Sequence, residues 1–186
     1  MAKLEAIGLV ELTSIAMAYQ VEDAMLKAAD VQLLVARTIC PGKYIIVVGG
    51  EVSSVRASVS AGGEAADESL IEERVIPSIH PDVFPAVSLS VMLEPGEIEA
   101  LGVIETFSAA SAIEAADAAA KAATIKLFRL HLAMAIGGKG FLLLTGDVAS
   151  VAAAVAAGAE VAARDGVLVQ KVVIPGPRRE LFNDFV

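Results

Sequence analysis

The strongest constraint on this 186-residue chain is an internal repeat, because one run of sequence occurs twice in the same order. Residues 6–11 (AIGLVE) match residues 100–105 (ALGVIE). Further matched pairs follow in order in the two halves: Asp23 with Asp117, Lys27 with Lys121, Lys43 with Lys139, Gly50 with Gly146, and Pro77 with Pro175. Such self-similarity indicates one structural unit used twice. The chain is therefore predicted to hold two domains, residues 1–93 and 98–186, with residues 94–97 (EPGE) as the linker.

The sequence of each copy predicts the same series of secondary-structure elements. The first strand is β-branched and aliphatic, the first helix is alanine-rich and opens on acids, and the second helix has Val and Ala at helical spacing. The predicted segments, by copy, are strands 4–12 and 99–107, helices 20–29 and 114–123, strands 31–39 and 125–135, strands 43–49 and 140–146, helices 51–66 and 148–164, last strands ending at Pro77 and Pro175, and short helical tails with Phe84 and Phe182. The order βαββαβ predicts an α/β (α+β) fold of two tandem ferredoxin-like units.

Composition narrows the functional classes. The net charge is −9 and no basic cluster forms a stripe, which argues against a nucleic-acid partner. No run of eighteen apolar residues occurs, so a membrane-spanning helix is not expected. Hydrophobic residues nevertheless make up 56% of the chain, and oligomer interfaces are the natural place to bury the excess. The single cysteine excludes an internal disulfide and fits a reducing cytosol.

The repeated motifs resemble a known family. The AIGLVE strand, the helix segment DAMLKAA and the Gly-Lys…Gly-Glu-Val segment are similar to bacterial microcompartment shell domains. Two such domains in one chain resemble the tandem-domain, trimer-forming class, and the segment TICPGK at 38–43 resembles its iron–sulfur members from propanediol-utilisation microcompartments. Each copy begins with the Gly-Leu-Val-Glu type of strand, so the order is not circularly permuted.

The resemblance implies an assembly and a location. Three chains would form a flat, pseudo-hexagonal disc, and such homotrimers would tile with other shell proteins into a hexagonal sheet, the microcompartment shell in the cytoplasm. A pore would lie on the three-fold axis, lined by the loops between the second and third strands. The family also implies a lattice-edge role for Lys27 and Lys121. The family's edge arginine is absent: Ser78 stands there in copy one, and Gly176 precedes Pro177 and Arg178 in copy two.

The two copies differ in length in that same loop. Copy one has Cys40-Pro41-Gly42, and copy two has Ala135 followed by Ile136, Gly137 and Gly138. Because proline fixes φ and glycine allows a positive φ, the first turn can present Cys40 rigidly at its tip. The resemblance then implies a [4Fe–4S] cluster shared by three chains. Three thiolates would bind three irons, and water or a small external ligand would bind the fourth.

Other interpretations stay open. Cys40 can be an idle free thiol, and the chain can be a metal-free tile whose pore conducts small metabolites. A third alternative is a ferredoxin-like small-molecule sensor or enzyme of another family, which would form a discrete oligomer and no sheets.

Catalysis is not predicted, because no nucleophile–base pair is suggested by His80 or His131. The repeat also makes Glu11 and Glu105 the same position in two domains and not an acid–base pair. The run at 137–140 (GGKG) lacks the spacing and the Ser/Thr of a phosphate-binding loop.

Overall fold

The fold is that of a computed structural model, which describes residues 3–93, 96, 98–134 and 136–182. The chain divides into two compact units between Phe84 and Pro85. The predicted domain limits 1–93 and 98–186 stay a prediction, since three of the four linker residues lie outside the described residues. No helix within the described ranges is both long enough and apolar enough to cross a membrane.

The first unit is a four-stranded antiparallel sheet with two helices packed on one face. Its elements are β1 (Ala6–Leu12), α1 (Ile15–Ala28), β2 (Gln32–Ile39), β3 (Lys43–Gly50), α2 (Val52–Ala66) and β4 (Leu70–Pro77), followed by the short helix α3 (Val83–Val87). The strand order is β2-β3-β1-β4, so β1 lies at the centre with β3 and β4 on either side. Alternate residues of β1 and β3 point to the helices, and Val10, Ile46 and Val48 pack there against Met25 and Val55.

The second unit repeats this arrangement. Its elements are β5 (Ala100–Thr106), α4 (Ala109–Ala122), β6 (Lys126–Leu132), β7 (Gly140–Gly146), α5 (Val148–Arg164) and β8 (Leu168–Pro175), followed by a 3-10 turn (Arg179–Phe182). The strand order is β6-β7-β5-β8. The predicted βαββαβ order is thus confirmed in both copies, and so are the helical tails with their buried Phe84 and Phe182. Phe182 packs on Phe128, with 6.2 Å between the ring centroids.

The predicted starts of the first helix in each copy are wrong by about one turn. We expected helices at 20–29 and 114–123, whereas α1 begins at Ile15 and α4 at Ala109. The reason is a serine cap: the Ser14 hydroxyl accepts a hydrogen bond from the Met17 N–H, and the Ser108 hydroxyl accepts one from the Ser111 N–H. A cap of this kind satisfies an N–H that the first helical turn leaves unpaired. The acids taken as the helix start lie inside the helices.

Glycines in α2 and α5 allow the helices to pack closely. A Cβ atom built on Gly158 would lie 2.6 Å from the Ala115 carbonyl oxygen of α4. The equivalent atom on Gly62 would lie 2.7 Å from Cγ of Met25 in α1. The first neighbour is backbone and cannot move alone, whereas the second belongs to a flexible side chain. An added methyl group should therefore be tolerated better at Gly62 in the first unit than at Gly158 in the second.

This difference predicts the outcome of two matched substitutions. Gly158→Ala should lower the free energy of unfolding by about 1–2 kcal/mol relative to Gly62→Ala, because overpacking against backbone forces the helices apart. Both variants gain the same helix propensity, which cancels in the comparison. Urea unfolding followed by circular dichroism measures the difference. Equal midpoints and slopes for the two variants would contradict the packing argument.

Candidate functional site

The Cys40 turn closes the β2–β3 hairpin. Ile39 pairs with Lys43 at the end of the ladder, and the three residues between them form the turn. Gly42 has a φ of 72°, which confirms the positive φ expected there, and open space surrounds the position where its Cβ would be. Pro41 and Gly42 are exposed, whereas Cys40 is half-buried and its thiol is free. The hairpin thus presents one thiol per chain close to the surface.

The equivalent loop of the second unit joins β6 to β7 and carries no thiol. Gly137 and Gly138 have φ values of 67° and 84°, and Ile136 is half-buried. The Lys139 N–H donates to the Ile136 carbonyl at 3.4 Å, so the glycines form a tight turn and not an open phosphate-binding loop. Ala135 lies outside the described residues. His131 stacks on Phe141 and its Nε2 lies 2.7 Å from the Met134 carbonyl oxygen.

Each hairpin loop is followed by a lysine that forms an ion pair with the central strand. Lys43 Nζ lies 2.8 Å from Glu11 Oε1, and Lys139 Nζ lies 2.5 Å from Glu105 Oε1. The two glutamates therefore occupy the same place in two domains, as predicted. Their lysine partners were not predicted, although Glu and Gly-Lys recur together in both copies, and that repeat could have identified them.

The only two tyrosines of the chain lie in contact next to the Cys40 hairpin, with their rings tilted by 52°. The rings of Tyr19 on α1 and Tyr44 on β3 have centroids 5.7 Å apart. Burial raises the pKa of the Tyr44 phenol, and the nearby Glu22 carboxylate raises it further. Tyr19 is 65% exposed, whereas Tyr44 is buried. This pair was not predicted from the sequence.

The predicted edge lysines lie in the last turns of α1 and α4, as the repeat required. Lys27 pairs with Asp23 at 2.6 Å, and Lys121 pairs with Asp117 at the same distance. Both ammonium groups are exposed, so these pairs contribute little to stability. Their edge role stays a prediction, because no neighbouring chain is present.

The chain alone offers no metal centre in the part that the structure describes. Within those ranges, no three His, Cys, Asp or Glu side chains come close enough together to hold a metal ion. Cys40 is the only thiol of the sequence. A cluster held by cysteine therefore needs Cys40 from several chains.

Two sequence comparisons identify similar proteins. The model of the BMC domain family matches the chain twice, at residues 6–79 and 100–177. The bacterial microcompartment shell protein PduT of Citrobacter freundii is 42% identical over 182 residues, which cover 98% of each chain. The matched regions contain both hairpin loops and both ion pairs.

Solved structures give the same result. A microcompartment protein from Desulfitobacterium hafniense superposes with a TM-score of 0.92 at 50% identity, covering 96% of this chain and 98% of that one. The fused permuted hexameric shell protein MSM0275 from the RMM microcompartment superposes with a TM-score of 0.58 at 26% identity, covering 86% and 82% of the two chains.

The position of the missing edge arginine predicts a reciprocal effect of two substitutions. Ser78 and Gly176 follow the matched Ile-Pro pairs, both are exposed, and their φ values are 54° and 56°. A left-handed conformation costs a residue with a Cβ about 1–2 kcal/mol. Ser78→Gly should therefore raise the melting temperature slightly, and Gly176→Ser should lower it. Calorimetry of both variants checks this, and shifts of the same sign would contradict it.

Proposed function

The chain belongs to the bacterial microcompartment (BMC) domain family and is a tandem-domain shell protein, and from that premise we propose that it is a homotrimeric, non-enzymatic tile with a central pore. The loops after β2 and β6 would line the pore. Three Cys40 thiolates would hold a [4Fe–4S] cluster there, which serves electron transfer or cluster delivery across the shell. The tile would join other shell proteins in a sheet.

Equivalent side chains of α1 and α4 differ in their exposed fraction, and this difference supports self-association of the chain. On α1, Tyr19 is 65% exposed, whereas its counterpart on α4, Ile113, is 0% exposed. The other members of this face differ in the same way: Ile15 and Leu26 are exposed, and their counterparts Ala109 and Ala120 are buried. This face is buried on α4, whereas on α1 it is apolar and exposed. We call the face formed by Ile15, Tyr19 and Leu26 the α1 face.

The sheet side that faces away from the helices shows the opposite difference: it is more buried in the first unit than in the second. Leu9 and its ladder partner Val47 are fully buried on the side of the sheet away from the helices. Their counterparts Val103 and Leu143, which also pair with each other, are only half-buried. The side of the sheet that is covered in the first unit is therefore partly open in the second.

These two differences are complementary, and they favour a ring of identical chains. An exposed apolar face is removed from water when a second chain packs on it. The α1 face of one chain would then meet the open sheet side of the next chain's second unit. Such a head-to-tail contact closes into a ring when its rotation allows. Three chains of two similar units give the six positions of a pseudo-hexagonal disc.

The chemistry of the donor set fits the proposed cluster. Thiolates are the usual ligands of iron–sulfur clusters, and a three-fold ring supplies three of the four that a [4Fe–4S] cluster takes. Cys40 lies on a three-residue turn close to the surface, where a thiol from each chain can face the axis. The fourth iron is left for water or a small external ligand. When bound, the cluster would supply one-electron transfer at the pore. The likeness to PduT over nearly the whole chain supports a shared architecture.

The cluster proposal predicts iron that depends on Cys40. Anaerobically purified protein should contain iron and acid-labile sulfide, with a visible absorption that bleaches on reduction, and Cys40→Ser should lose all three. The side chains are nearly the same size, so the variant should still assemble, and sedimentation of both proteins checks this. Iron that persists in Cys40→Ser, or wild-type protein without iron, would leave a metal-free tile as the function.

The trimer proposal predicts that Tyr19 is an anchor of the contact. Large aromatic side chains dominate such interfaces, and truncating one costs about 2 kcal/mol or more. Tyr19→Ala should therefore weaken association about 30-fold, as measured by sedimentation at several protein concentrations. The adjacent Gln20→Ala is the matched control, because its counterpart Glu114 stays partly exposed. If both variants remain fully trimeric at every concentration, the α1 face is not the interface.

A further inference from the structure

The Cys40 turn projects beyond the end of the central strand. The last pair of the β1–β3 ladder joins Leu12 to Tyr44. The next residue outward, Lys43, has a ladder partner only on β2, where it faces Ile39. Backbone hydrogen bonds to β1 therefore stop one residue before the turn begins. Other contacts must hold the turn in a fixed orientation relative to the sheet.

Two side chains anchor the base of the turn on opposite sides of the sheet. Tyr44 points to the helices and is buried in their core. Lys43 points to the other side, where Nζ lies 2.8 Å from Glu11 Oε1. The Glu11 side chain is only 10% exposed and that of Lys43 is 32% exposed. Because the pair is largely removed from water, its attraction is stronger than that of a surface pair and its geometry is more restrictive.

The second unit contains the same pair in a more exposed setting. The side chains of Glu105 and Lys139 are 31% and 35% exposed, and the loop before Lys139 carries no thiol. The first copy thus combines the more buried pair with the only cysteine. The second copy offers a matched control within the same chain.

We propose that the Glu11–Lys43 ion pair positions Cys40, holding the turn so that its thiolate is directed to the shared cluster. Neither residue is a ligand; the pair acts through the three-residue turn that Lys43 terminates. Groups that orient a ligand in this way affect how tightly a metal site is held. The inference rests on the proposed cluster function and adds to it the residues that set the ligand's orientation.

The experiment compares two double variants of the whole 186-residue chain. Glu11→Gln/Lys43→Met removes the pair in the first copy, and Glu105→Gln/Lys139→Met removes it in the second. Both partners are replaced together because removing one alone leaves a buried, unpaired charge and destabilises the domain. Lys43→Arg is the conservative variant, since it keeps a cation that can bond to Glu11.

The first readout is the rate at which iron is lost to a chelator under anaerobic conditions. The copy-one double variant should lose iron about 10- to 100-fold faster than wild type. The copy-two double variant and Lys43→Arg should stay near the wild-type rate. Melting temperatures of the two double variants show whether general stability differs. Equal iron loss from both double variants, or no change in either, would overturn the inference.

The second readout uses cluster-free protein and does not depend on the proposed function. A maleimide reagent alkylates Cys40, and its rate reports how the turn presents the thiol. The rate should change several-fold in the copy-one double variant and stay unchanged in the copy-two double variant. Wild-type protein without cysteine-dependent iron would reject the cluster, and this comparison would still decide whether the pair positions the thiol. An unchanged alkylation rate in the copy-one variant would overturn the inference.

Discussion

The packing of two helices on one face of a four-stranded sheet is the constraint on which the rest of the structure depends. It requires β1 and β5 to be central, and it requires small residues where the helices cross. Gly8 and Gly102 are examples, since a Cβ on either would lie under 3 Å from side chains of the helix above. Both copies keep these features because neither unit can bury its apolar face without them. The loop between the second and third strands of each unit carries no such constraint, and there the two copies differ in both length and sequence.

Equivalent faces of the two similar units differ in burial. A single repeated domain would present the same faces in every copy. Here the α1 face is open while its counterpart on α4 is covered, and the side of the sheet opposite the helices shows the reverse. Open and covered faces therefore occur as complementary sets on one molecule. This property supports the proposed head-to-tail ring of chains.

Much of the fold could be predicted because it depends on local patterns. Aliphatic strands, alanine-rich helices and the register of the repeat determined the βαββαβ order and placed both hairpin loops. The start of α1 was missed because a serine cap, and not an acid, begins it. The Glu11–Lys43 pair was missed, although Glu and Gly-Lys recur together in both copies. The Tyr19–Tyr44 contact has no such signal, since it joins a helix to a strand and occurs in one copy only. Whether a helix or sheet face is buried in one copy and exposed in the other depends on the packing of the folded molecule. The spacing of apolar residues along the sequence does not show this difference.

The duplication also bears on how many thiols the proposed pore can hold. A hexamer of identical single domains with a cysteine in this loop would place six thiols around the axis, which exceeds the four that one cluster uses. Two unequal copies halve that number, because only the first hairpin carries Cys40 while the second has glycines. Three thiolates then hold three irons and leave the fourth iron open to a small ligand. The change in loop sequence between the copies is therefore what makes the stoichiometry of the proposed site possible.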